Sequence, residues 1–193
     1  MNRLAKHMLT SAYNNAWANH RLLKAVAGLS QEEFTATRTS FFPSLMATLN
    51  HNVTVDWYYV DALERSLAGR PVNDDARSVF EPPHPFDTCA ALHVAQRAVD
   101  RRLVDVCAGL TDEIVDAPVA VLRRAGVKYE SCTRLLAHLF QHQVHHRGQA
   151  HAMLAGTSVT PPQLDEFFCA SGAELRAADL ADLGYSEALI WGV

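Results

Sequence analysis

The sequence predicts an all-α protein, a helix bundle built on four long helices. Three observations carry that reading. Four long segments repeat apolar residues at the 3.6-residue helical rhythm. Stretches rich in glycine, proline and other turn residues separate them. The second segment carries two apolar stripes, the pattern of a helix flanked by neighbours on both sides.

The first helix is expected from about Asn2 to Ala27, where Leu4, Met8, Ala12, Trp17, Leu22, Leu23 and Val26 keep a broken rhythm until Gly28 ends it. Ser30 and Glu33 then form a capping box for a short extra turn. The second helix runs from about Ser44 to Ala68. Leu49, Val53, Asp56, Val60 and Leu63 share one stripe, and His51, Val55, Tyr58 and Ala62 share the other. Residues 69–87 read as a loop broken by Gly69, Pro71, Pro82, Pro83 and Pro85.

Asp87 is the expected cap of the third helix, Thr88 to about Ala108, in which Leu92, Ala95, Val99, Leu103 and Val106 recur at helical spacing. "VAVL" and "VKY" flank "RRAG", which predicts a short hairpin-like crossover to the fourth helix. That helix, about Ser131 to Ala155, stops at Gly156. Ser171 and Glu174 are the expected capping box of a short C-terminal helical extension.

A chain of 193 residues is long enough for one domain with a real core and short for two. The expected unit is a single domain over 1–193, with its core over 2–168 and the extension over 169–193. A net charge of −4 argues against a nucleic-acid or anionic-membrane partner held by bulk charge. Cys89, Cys107, Cys132 and Cys169 are widely spaced and form no CxxC pair, as expected of reduced thiols in a cytoplasmic protein. The first residues show no secretory leader pattern, and no run has the length of a membrane span.

The fourth helix concentrates the chemistry. "HLFQHQVHHRGQAHAML", His138 to Leu154, holds five of the ten histidines. At about 100° per residue, and with His138 at zero, His145 falls near −20°, His142 near 40° and His146 near 80°, while His151 falls near 220° on the far side. The arc contains two i,i+4 pairs, His138/His142 and His142/His146, a spacing at which two imidazoles can chelate one ion. Bundle histidines bonded to carbonyls or carboxylates are the competing explanation, but several imidazoles on one face must then find several acceptors. Gln143 stands where HExxH would place its glutamate, which excludes a zincin site.

Gln149 lies on the histidine arc as a donor supporting the ligands or as a substrate contact, with a plain core amide as the alternative. Gly148 costs the helix about 1 kcal/mol relative to alanine, which predicts close approach of another helix or a ligand. Arg147 points away from the arc, towards a carboxylate of another helix or solvent. A catalytic metal site takes three protein ligands and keeps one position open, so another helix must supply the third. His51 leads among His7, His20, His84 and His93, with His20 and His84 expected in solvent; spacing does not separate His51 from His93.

Four stretches, "YNNAWANHRLLKAVAGLSQEEF", "SLMATLNHNVTVDWYYVDAL", "HQVHHRGQAHAML" and "PPQLDEFF", resemble the DinB/YfiT-like family of metalloenzymes over residues 13–168. The resemblance implies a four-helix bundle of up-down-down-up topology with a long crossover. It also implies a divalent metal held by one histidine of the second helix and a pair four apart in the fourth. Matched position by position, these are His51, His142 and His146. His138 and His145 then become core residues or supports of the ligands. Met46 stands where the family often has a further, non-essential histidine.

Nickel or zinc is the implied ion, with iron or manganese as alternatives. Characterised relatives use low-molecular-weight thiols, so the expected activity is a thiol-dependent S-transferase acting on a small-molecule electrophile. A hydrolase using metal-activated water is the second expectation. A non-enzymatic metal-binding stress-response protein is the third. Apolar helix faces beyond one core, together with family habit, point to a homodimer.

Overall fold

Hydroxyl side chains set where three of the four long helices begin. The computed structural model of the chain describes residues 3–192. The helices are α1 (Arg3–Val26), α2 (Gln31–Thr35), α3 (Leu45–Leu67), α4 (Cys89–Ala108), α5 (Cys132–Leu154), α6 (Ala173–Leu183) and α7 (Glu187–Trp191). Ser44 Oγ accepts from the Ala47 N–H at the start of α3, and Ser131 Oγ accepts from the Arg134 N–H at the start of α5. Each such cap is worth about 1 kcal/mol. The Ser30–Glu33 box is formed in full and starts α2. Asn2, the expected start of α1, lies outside the described residues.

Two expected caps are corrected. Thr88, not Asp87, caps α4, its hydroxyl accepting from the Ala91 N–H. Gly172, not Ser171, precedes α6, and no side chain caps that helix. The reason is local: residues Ala170–Gly172 already form a 3₁₀ turn, so Ser171 lacks the extended backbone an N-cap needs. A Cβ at position 172 would also lie 2.7 Å from the Glu166 carbonyl oxygen, so only glycine fits there.

The crossover is a hairpin, as expected. β1 (Pro118–Arg123) pairs antiparallel with β2 (Gly126–Ser131), with Ala120 opposite Tyr129 and Arg123 opposite Gly126. Gly126, at φ 96°, takes the left-handed conformation that closes the turn. Val119 and Val121 point inward and are fully buried, which fastens the hairpin against α3 and α5.

Among the long helices, α1 packs on α4 and α5, and α3 packs on the same two. One apolar cluster between them includes Trp17, Val53, Leu63, Leu103 and Leu136; a second holds Leu22, Leu45, Leu92 and Leu154. Full burial of each such side chain contributes about 1.5–3 kcal/mol. The C-terminal helices lie against α1. Arg21 and Lys24 of α1 both pair with Asp179 of α6, and Arg176 grips Glu187 of α7 through two nitrogens. Among the described residues no helix is long and apolar enough to cross a membrane.

Candidate metal centre

Three imidazoles meet where α3 crosses α5. His51 comes from the second turn of α3, and His142 and His146 from successive turns of α5. Their candidate ligand atoms all lie within 4.8 Å of one another, and Nε2 of His51 is 2.9 Å from Nε2 of His142. His146 is buried at 7% exposure, whereas His51 and His142 are half-buried, so the group reaches solvent on one side. Phe42 covers another side, its ring centroid 4.4 Å from that of His51 and 5.5 Å from that of His146.

Burial dominates the electrostatics. It pushes the His142 imidazolium down to about 3, helped by the neighbouring His146 and His51. Burial, then His146, pushes His51 down to about 4, and burial also lowers His146. The three rings are therefore neutral near pH 7 and present lone pairs, the form in which imidazole ligates a metal. Gln149 sets the orientation of one of them. Its Oε1 lies 2.7 Å from His146 Nδ1, so that nitrogen donates and Nε2 keeps its lone pair.

The DinB family model matches residues 1–177. The chain belongs to the DinB family. Among solved structures, this DinB-family chain is similar to a DinB-like protein from Bacillus cereus, with a TM-score of 0.60 and 18% identity over 81% of this chain and 94% of that one. At that identity the likeness carries the fold. No curated protein matches it.

The residues of the DinB-family chain fit a divalent cation. His142 Nδ1 is buried without a partner among the described residues, and the triad holds no carboxylate. Three desolvated imidazoles facing one another satisfy their lone pairs poorly, and a cation would take them directly. An all-neutral ligand set leaves the full positive charge on the ion, which favours a Lewis-acid role. Two cavities are lined by neighbours of the triad, though by none of its three histidines. One of about 630 Å³ is lined by Arg38, Phe41 and Gln149, and one of about 310 Å³ by Tyr59, Arg123 and His138.

The other histidines divide as follows. His138 and His145 are exposed rather than core. His138 still meets the Tyr59 hydroxyl at 3.3 Å, and His145 Nε2 accepts from the Gln149 amide at 3.1 Å. Gln149 thus bridges two histidines, accepting from His146 where a donor was expected. His151 lies away from the triad and bonds the Pro162 carbonyl. His20, expected in solvent, is buried because α6 covers it; its Nδ1 lies 3.0 Å from His93 Nε2 and its Nε2 faces Asp182 at 3.4 Å. His93 is thereby engaged elsewhere, and the ambiguity with His51 is resolved by distance.

Directly beneath the triad lies a polar network that sequence reasoning missed. Gln143, fully buried, donates to Asp56 Oδ1 at 2.7 Å and to the Asn52 carbonyl at 3.2 Å. Gln96 bridges Asp56 and Asp100; Asn15 and Asn19 donate to Asp100 and accept from Arg147. The side-chain hydrogen-bond partners of Asp56 are the two glutamines. Burial pushes its carboxyl up to about 7 and raises Asp100 as well, each opposed by its amide donors. Phe42 and Gln143 carried no motif that marked them, since an aromatic in a loop and an amide on a helix are common.

Proposed function

We propose that this DinB-family chain is a divalent-metal-dependent thiol S-transferase. His51, His142 and His146 hold the ion, nickel or zinc, with iron or manganese as alternatives. The observation that carries the reading is the half-open group of three neutral imidazoles, with no fourth protein ligand in the group among the described residues. A divalent ion there supplies Lewis acidity that holds a thiol cosubstrate as thiolate. The protein's own residues bind and orient. Gln149 keeps His146 in the Nδ1–H tautomer, Phe42 excludes water from one flank, and the cavity beside Arg38 and Gln149 receives the small-molecule electrophile.

The side-chain pairings support an up-down-down-up order for the four long helices. The Leu23 carbonyl, near the end of α1, meets Cys89 at the start of α4, so those helices oppose one another. Asp56 with Gln96 and Glu64 with Arg102 align α3 with α4. Tyr59 with His138 and His51 with His142 oppose α3 to α5.

The test is to load the protein with nickel or zinc and assay a panel of cellular thiols against a chromogenic electrophile. Thiol-dependent turnover that disappears together with metal in His142→Ala supports the reading. Turnover that needs metal but no thiol would replace it with hydrolysis by metal-activated water. Stoichiometric metal with neither activity would leave a metal-binding protein.

A further inference from the structure

A second cleft lies on the opposite side of α5 from the triad. It has a volume of about 560 Å³, within the range of about 300–1,000 Å³ typical of small-molecule sites. Its walls are mainly apolar, from Ala18 of α1, Val144 of α5, and Pro161, Leu164 and Phe167 of the segment after α5. Gly148 forms part of it, and a Cβ built there meets no atom within 4 Å. The expected compensation for this mid-helix glycine is therefore not a neighbouring helix. The glycine leaves open space.

Arg147 also lines the cleft, although it is only 5% exposed. Its Nη1 is spent on the side-chain oxygens of Asn15 and Asn19. Among the described residues, Nε and Nη2 have no acceptor. A guanidinium stays charged in proteins, and its fork matches a carboxylate in two parallel bonds. Two further polar atoms border the same space without partners among the described residues: Asn14 Oδ1 and Gln163 Oε1. Asp165 sits exposed at the rim and accepts from Gln163 Nε2. His151 is occupied by the Pro162 carbonyl.

We propose that this cleft is a binding site for a small organic carboxylate with an apolar body. The carboxylate lies on the free edge of the Arg147 guanidinium, and the body fills the volume over Gly148, between Ala18, Val144 and Leu164. A hydroxyl or amide N–H on the ligand would meet Asn14 or Gln163. The site is separate from the histidine triad and does not depend on metal.

The test is calorimetric titration with 4-phenylbutyrate and with its primary amide. The acid should bind one per chain, and the amide at least tenfold more weakly, because only the acid makes charge-assisted bonds to Arg147. Arg147→Met is the obvious variant, but it strips the buried network of its cation and so confounds binding with folding. Gly148→Leu carries the test instead, since leucine is the better helix former and its side chain enters open space. That variant should lose 4-phenylbutyrate binding while keeping the wild-type melting temperature and metal content. Failure of the acid to bind, equal affinity for the amide, or retained binding in Gly148→Leu would each overturn the proposal. A concentration-dependent dimer dissolved by Gly148→Leu would also overturn it, by assigning the cleft to a second copy of the chain.

Discussion

Gln143 Nε2 donates to Asp56 Oδ1 at 2.7 Å, joining α5 to α3 one residue away from His142. The bond fixes the facing registers of the two helices that carry the triad. A buried carboxyl needs such donors, and the amide needs an acceptor for the same reason. Gln143→Leu should therefore cost about 1–3 kcal/mol, because Asp56 is left with one donor fewer in the interior. Urea denaturation measures the loss. An unchanged midpoint would show that the bond does not hold the helices together.

The two kinds of histidine on α5 should separate cleanly in metal content. Alanine at His51, His142 or His146 should abolish stoichiometric metal, whereas His138→Ala and His145→Ala should retain it, since both of those rings are exposed outside the group. Elemental analysis of the five purified variants decides the matter. Retention in His142→Ala would refute the ligand set.

Gln149 acts through His146 rather than on a substrate atom. Gln149→Leu removes the acceptor for the Nδ1 hydrogen and frees the ring to rotate. Loss of such an outer partner typically lowers metal affinity about 10–100-fold. Competition with a metallochromic chelator reads the change, and Gln149→Glu, which still accepts that hydrogen, should restore most of it.

Acid should loosen the seam between α1, α4 and α6. Burial holds His93 down at about 4, with His20, Arg97 and Lys24 adding to the effect. Burial also lowers His20, partly opposed by Asp182. Below 6.5 the unfolded chain takes up protons that the folded pair refuses. This contribution to stability is therefore complete above 6.5 and is lost as the pH falls towards 4. The raised Asp56 carboxyl acts in the opposite sense over much of that range, so the comparison must be between variants. Thermal unfolding from pH 7 to pH 4 should show a shallower decline in His93→Leu than in the natural chain.

Much of the site was legible in periodicity and turn chemistry, which are local. Helix boundaries at Ser44 and Ser131, the hairpin around Gly126 and the shared arc of His142 and His146 all follow from residues within a few positions of one another. The polar network left a local trace as well. Each long helix carries at least one buried polar pair at i,i+4, among them Asn15/Asn19, Asn52/Asp56, Gln96/Asp100 and Gln143/Arg147. Such pairs on apolar stripes signal a shared interior network, although nothing local says which pair meets which.

The sequence by itself determined that the chain is helical, that Ser44 and Ser131 begin α3 and α5, and that two histidines share one face of α5. Spacing alone did not separate His51 from His93 as the third member, and it was the family resemblance that named His51. The packing of α3 across α5, and of α6 over His20, is what brings His51 to the α5 pair and engages His93 elsewhere. The physical reason is range. A helix wheel places side chains around one axis, whereas a ligand set is defined by distances between axes, and those come from burial summed over the whole core.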